Sequence, residues 1–223
     1  MGDIRKSIVW ADWSWNPAFG CLHNCPYCYA RKIAKRFGKQ ICGRDDFAPT
    51  WVQRNFEKRI PKYAKHIFVN SMSDVVFWKK EWLVLVYEKA KMYPDKKFLF
   101  LTKDPVRFTE IQADLNREGV GIWGQNLFFG FSITGNEEIP NVADNDYDFI
   151  SIEPFHKRID FLKLPAVKQI IIGAETGNRK EKIIPETEWI EEIKKWSELY
   201  GIKLFEKDSL KKIVKRSLVQ QRI

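Results

Sequence analysis

Three cysteines fall within eight residues, Cys21, Cys25 and Cys28, in the segment Gly20-Cys-Leu-His-Asn-Cys-Pro-Tyr-Cys-Tyr-Ala30. Thiolates are soft ligands, and so short a loop keeps them a few ångströms apart, which suits a metal cluster or a zinc ion. A C-x3-C-x2-C loop can close on three corners of an iron–sulfur cube and leave the fourth iron open to another ligand. Structural zinc takes four ligands, usually in two pairs well apart in sequence. The nearby candidate for a fourth, His23, sits between two of the cysteines, where it could hardly share their tetrahedron. Zinc and passive cysteines stand as alternatives, and the cluster is the favoured reading.

The elements that must position this loop follow from hydrophobic period. Short β-branched and aromatic runs alternate with helical patterns, which predicts parallel βαβ units. Strands are expected at 66–69, 97–101, 127–131, 148–152, 169–172 and 202–205, with a first strand within 12–19 leading into the cysteine loop. Trp82, Leu83, Val86, Ala90 and Tyr93 recur at helical spacing before Pro94, and Asp104 with Pro105 forms a cap and first turn ahead of Phe108, Ile111 and Leu115. Trp189, Ile190, Ile193 and Trp196 mark a helix that stops at Gly201. Leu210, Ile213, Val214 and Leu218 mark a last one after Asp208, with Ser209 as its cap. The connections at 134–147 and 157–165 are short and polar and predict abbreviated helices. Six or seven strands fall short of an eight-unit barrel, so the expected fold is α/β, an open, curved (β/α)6-type partial barrel. It is expected as one domain over 1–223, with the cysteine loop at 20–30 and a terminal strand and helix within 202–223.

In parallel α/β folds the carboxyl ends of the strands share one rim, where sites are built. The expected strands deliver Asn70, Ser71, Ser73 and Asp74, then Thr102 and Lys103, Ser132 and Thr134, Ser151 and Glu153, Glu175 and Thr176, and last Glu206, Lys207 and Asp208. All are expected to face the cysteine loop. Plainer roles compete: Ser73 and Asp74 are also suited to cap the next helix, and Asp104 is expected to do so. Glu153, between a hydrophobic strand and Pro154, would be costly unless a ligand or partner meets it. Gly173-Ala174-Glu175-Thr176-Gly177 reads either as a strand-ending turn or as a place where a cofactor approaches the backbone.

With Tyr27 directly before Cys28, the loop resembles the signature of the radical S-adenosylmethionine (SAM) enzymes, C-x3-C followed by x-aromatic-C. The wider chain resembles a short phage and prokaryotic family of radical-SAM-like proteins of unassigned function, distantly similar to spore photoproduct lyase. The matching segments are Ile8-Val9-Trp10-Ala11-Asp12, Trp15-Asn16-Pro17, the cysteine loop, Phe68 to Asp74, Leu101-Thr102-Lys103, Ser151-Ile152-Glu153-Pro154 and Ile172 to Gly177. The resemblance implies that Cys21, Cys25 and Cys28 hold a [4Fe-4S] cluster whose open iron is chelated by the methionine part of SAM. Reduction, by an electron donor such as flavodoxin or ferredoxin, would then release a 5′-deoxyadenosyl radical for hydrogen abstraction. The family's Gly-Gly-Glu stretch, which meets the methionyl amine, corresponds to Asn70-Ser71-Met72-Ser73-Asp74; Ser71, Ser73 or Asp74 would take its place. Ser132 and Glu153 would serve SAM's ribose and carboxylate, Tyr27 its adenine, and Lys103 an anionic group. Glu175 completes the implied cofactor set. Cys42, a lone thiol, would by the likeness to spore photoproduct lyase be a hydrogen-atom donor; a passive thiol is the plainer reading.

The remaining composition fits a cytoplasmic enzyme. At 44% hydrophobic residues the chain can bury a sizeable core, and its longest apolar runs are too short to span a bilayer. Four cysteines, three of them clustered, do not make a disulfide framework. The net charge of +9 is concentrated: residues 31–65 carry eleven basic against three acidic side chains, and residues 203–223 seven against two. Such patches suit a polyanion, so nucleic acid is a candidate partner, although a solvated helix face would look much the same. Two function classes follow: a radical SAM enzyme acting on a substrate such as a nucleic acid or nucleotide, and a non-catalytic zinc- or cluster-stabilised nucleic-acid-binding module.

Overall fold

The computed structural model describes residues 8–120 and 124–223, which gather into two compact units divided between Phe128 and Phe129. In the first unit, strands β1 (Trp13–Ser14) and β2 (Ala18–Phe19) precede helix α1 (Tyr29–Cys42). β3 (Thr50–Trp51) pairs antiparallel with β2, and the short α2 (Gln53–Phe56) follows. Next come β4 (His66–Phe68), α3 (Lys80–Lys91), β5 (Lys97–Thr102) and α4 (Pro105–Arg117). β1, β4 and β5 lie side by side in that order, all parallel.

Phe98, Leu99 and Phe100 of β5 are consecutive and all buried, the pattern of a parallel strand covered on both faces. Leu83, Val86, Tyr87 and Ala90 fall at helical spacing and form the buried face of α3; Tyr87 meets Phe100 edge-on at 5.5 Å. As the sequence pattern predicts, Asp104 caps α4 by accepting from the Arg107 amide at 3.1 Å, with Pro105 in the first turn. Trp15, wholly enclosed, donates from Nε1 to the Asn55 carbonyl at 2.9 Å and packs on Phe56 and Phe98.

β6 (Leu127–Ile133) leads into the second unit, where it pairs with β7 (Phe149–Ile152) from Gly130 onward. β8 (Gln169–Ile172), α5 (Thr187–Leu199) and β9 (Lys203–Glu206) follow, and β6, β7, β8 and β9 are parallel in that order. A Cβ on Gly130 would fall 2.4 Å from the Phe149 ring, so a glycine is what lets these strands close over that side chain. The expected abbreviated connections are single 3₁₀ turns, Asn136–Glu138 and Phe161–Lys163. No helix among the described residues is long and apolar enough to cross a membrane.

The expected terminal helix does not form. Beyond the 3₁₀ turn Asp208–Leu210 the chain turns back, and Gln220 bridges antiparallel to Phe205 of β9. The cause is Glu206, fully buried, which accepts from Arg216 through both oxygens at 2.7 and 2.8 Å and from the Val219 amide at 2.7 Å. A helical run from 210 to 218 would carry those donors away from a buried carboxylate. Ser209 does not cap; its hydroxyl accepts from the Ala174 amide at 3.0 Å, at the end of β8.

Arg216→Leu would strand the Glu206 carboxylate without its counter-charge. The expected loss is about 3–5 kcal/mol of unfolding free energy in urea titration; a loss under about 1 kcal/mol would show that the tail is held by something else.

Candidate functional site

The cysteine loop is seated from both ends. Gly20, at φ 107°, lies in the left-handed region, and a Cβ there would sit 2.1 Å from the Ala48 carbonyl oxygen, so only glycine fits. Its amide donates to the Met72 carbonyl at 3.0 Å, and the Cys21 amide donates to Phe47 at 2.9 Å. Asn24, at φ 54°, turns the chain between the first two cysteines, a conformation asparagine tolerates. Cys28 ends the loop as the N-cap of α1, its sulfur accepting from the Arg31 amide at 3.3 Å where the helix dipole presents its positive end.

The three thiols are free, partly exposed and within electrostatic reach of one another. Burial pushes the Cys21 thiol up to about 12, against a backbone hydrogen bond in its own loop that favours the anion. Burial also raises Cys25, while the Lys103 ammonium and the Tyr27 hydroxyl pull it back. Lys103 Nζ donates to the Tyr27 hydroxyl at 3.1 Å and lies 5.3 Å from the ring centroid, so one cation faces both residues. Arg31 donates to the Cys21 carbonyl at 3.1 Å and stacks over Phe47, yet its Nε is buried without a hydrogen-bond partner. Phe19, Ala30, Ala34, Phe47 and Val52 form the apolar wall on which Cys21 and Cys28 pack.

The segment from Asn70 to Asp74 meets this loop, but most of its side chains are internal ties. Asn70 grips Leu101 through both backbone groups, donating to the carbonyl at 2.6 Å and accepting from the amide at 3.0 Å. Ser71 pairs with the Asn16 side chain at 3.0 Å, and the Ser73 hydroxyl accepts from Trp78 Nε1 at 3.1 Å. Asp74 is buried and takes three partners: the Val76 amide on Oδ1 at 3.2 Å, and the Lys103 amide at 2.8 Å and His23 Nε2 at 2.9 Å on Oδ2. The capping role is therefore realised, and His23 belongs to Asp74. Nothing in the sequence paired those two; the signal was the odd position of a histidine between two cysteines.

Cys42 stands at the far end of α1, roughly 21 Å of helix rise from Cys28, with its thiol donating to the Gly38 carbonyl at 3.3 Å. Ser132, Glu153 and Glu175 belong to the second unit. The Ser132 hydroxyl donates to the Glu153 carbonyl at 3.3 Å, and Glu153 Oε1 accepts from Lys207 at 2.5 Å, so the costly carboxylate finds its partner inside the fold. Glu175 is buried and accepts from Arg179 through both oxygens at 2.7 Å, with His156 3.1 Å away. The Arg179 guanidinium holds its carboxyl below the ordinary glutamate range.

A family model described as a protein of unknown function (DUF5131) matches residues 5–217. No curated protein and no solved structure matches the chain.

Two outcomes test this geometry. Gly20→Ala must push the loop off the Ala48 backbone or strain φ, so it is expected to cost about 2–4 kcal/mol in urea unfolding; a neutral substitution would show that the loop is not seated this way. Because the folded-state pKa of Glu175 is depressed, its stabilisation is present above the unfolded glutamate value and is lost as pH falls through the folded one. Glu175→Gln is therefore expected to lower stability at neutral pH and to flatten the loss of stability on acidification below about pH 4.3. An unchanged acid slope would contradict the ion pair.

Proposed function

We propose that this chain, which belongs to the DUF5131 family, is a radical SAM enzyme in which Cys21, Cys25 and Cys28 hold a [4Fe-4S] cluster. The observation that carries the reading is the gathering of three free thiols on one clamped loop at the N-terminus of a helix. Among the described residues no group of three His, Cys, Asp or Glu side chains stands close enough to hold a metal ion, so the three sulfurs would have to close around a cluster as it binds. His23, the remaining soft donor in the loop, is engaged by Asp74. The partnerless Arg31 Nε would gain an acceptor from an anionic body held by the sulfurs.

When bound, cluster and SAM would supply reductive cleavage of SAM and a carbon radical that abstracts hydrogen, chemistry no side chain provides. The chain's own residues bind, orient and shield. Cys21 and Cys25, both raised by burial, must give up their protons to become ligands, and Lys103 offsets the negative charge that results at Cys25. Asp74, with three of about four carboxylate acceptor sites used, would be the carboxylate to meet the methionyl ammonium. Tyr27, pinned by Lys103, would face the adenine. Ser132, Glu153 and Glu175 lie in the second unit, where Glu153 meets Lys207 and Glu175 meets Arg179, and would serve SAM from those positions. The succession of parallel strands and helices is the one an open (β/α)6-type partial barrel uses. An external electron donor of the flavodoxin or ferredoxin class would serve the cluster.

Anaerobic reconstitution with iron and sulfide is the test. A brown protein with about four irons and four sulfides, which converts SAM to 5′-deoxyadenosine on reduction, is the expected outcome. Changing all three cysteines to alanine should abolish both colour and cleavage. A colourless protein that takes up zinc instead would refute the proposal.

A further inference from the structure

Helix α1 carries Lys32, Lys35, Arg36 and Lys39 at i, i+3, i+4 and i+7, a single stripe, and all four are exposed. The opposite face, Ala30, Ala34 and Gly38, is buried. The helix has no acidic residue, and none of the four cations has a carboxylate partner among the described residues. Several other cations are matched: Arg44 pairs with Asp46, Lys65 with Asp95, Lys80 with Glu118, and Lys194 with Glu198. The arrangement also works against the helix, because Lys32 with Arg36 and Lys35 with Lys39 set like charges at i, i+4, and Lys32 lies in the first turn, where the dipole disfavours a cation. Such a stripe is tolerable in isolation and becomes favourable when a polyanion lies along it.

At its cysteine end the stripe meets Tyr29, on the same face three residues before Lys32 and adjacent to Cys28. The ring is half exposed, and its hydroxyl donates to the Ser71 carbonyl at 2.6 Å, which fixes an aromatic face beside the candidate cluster site. From Lys32 to Lys39 the stripe runs roughly 10 Å, enough to meet more than one phosphate of a strand. We infer that the exposed face of α1 binds the phosphate backbone of a nucleic acid strand and leads it to the cysteine loop, where Tyr29 stacks on a base. An aromatic face pinned at one end of a cationic row is the pairing by which single-strand binders hold base and backbone together, and it favours a nucleic acid over a lipid surface or an acidic protein. Naming the strand as the substrate rests on the radical SAM reading; the binding does not.

The test is fluorescence anisotropy of the full chain, purified anaerobically, with short single-stranded DNA and RNA oligonucleotides across a salt series. The wild type is expected to bind, with log affinity falling linearly against log salt. The combined change Lys32→Gln, Lys35→Gln, Arg36→Gln and Lys39→Gln should lower that slope by about 2–3. Lys211→Gln with Lys212→Gln, on the basic tail of the second unit, should leave it unchanged. Tyr29→Leu should weaken binding at least about fivefold without altering the slope. Circular dichroism and a urea midpoint confirm that each variant is folded, as expected for exposed changes. Absence of binding at low salt overturns the inference. So does an unaltered slope in the quadruple variant, or equal binding of vesicles rich in anionic lipid or of a poly-glutamate peptide with the same loss in that variant. Binding with the predicted slope in protein that fails to cleave SAM would uphold this inference and sink the enzymatic reading; cleavage without binding would do the reverse.

Discussion

The first unit depends on one carboxylate. Asp74 is buried at the end of the β4 segment, where an unsatisfied charge would be prohibitive, and so three separate pieces of chain must come to it. The 3₁₀ turn Val75–Phe77 that it caps supplies the Val76 amide, the residue after β5 supplies the Lys103 amide, and the cysteine loop supplies His23. Satisfying Asp74 thereby fixes the backbone from which the Lys103 side chain departs toward Tyr27 and Cys25. It also fixes the loop between Cys21 and Cys25. Position at the site is set by the cost of a buried charge.

The same economy gives the polar residues at strand ends a structural role in the fold itself. Asn70, Ser71, Ser73, Glu153 and Ser209 all sit where a site could be built, and each meets backbone or side chain of the same unit. Loops at the ends of parallel strands leave amides and carbonyls that no ladder satisfies, and short polar side chains are the cheapest way to satisfy them. Asparagine and serine there complete the backbone's hydrogen bonding first. What the sequence could not show was the partner: Asn70 with Leu101, and Glu153 with Lys207, are separated by 31 and 54 residues.

The fold itself was more legible. The expected strands at 66–69, 97–101, 148–152 and 169–172 differ from β4, β5, β7 and β8 by at most one residue, because runs of consecutive buried apolar residues have no other good home. α3, α4 and α5 were equally visible through their apolar spacing, and α4 also through its Asp104 cap. The terminal segment misled because Leu210, Ile213, Val214 and Leu218 carry a helical period. Local pattern lost to a long-range ion pair: Glu206 offers Arg216 and the Val219 amide more than a helix turn could return. β3 was missed for a different reason, since a two-residue strand has no period to read.

The three thiols, identical in sequence, occupy different electrostatic settings. Cys21 packs against the cluster that includes Phe19 and Phe47, and its partial burial, with the Asp74 charge nearby, raises its thiol. Cys25 has the Lys103 cation and the Tyr27 hydroxyl before it, and Cys28 has the positive end of α1. The Lys103 ammonium and the helix N-terminus therefore stand on one side of the three sulfurs and the Asp74 carboxylate on the other. The asymmetry is written into the elements that flank the loop, because Lys103 follows β5 directly, Asp74 follows β4, and Cys28 caps the helix.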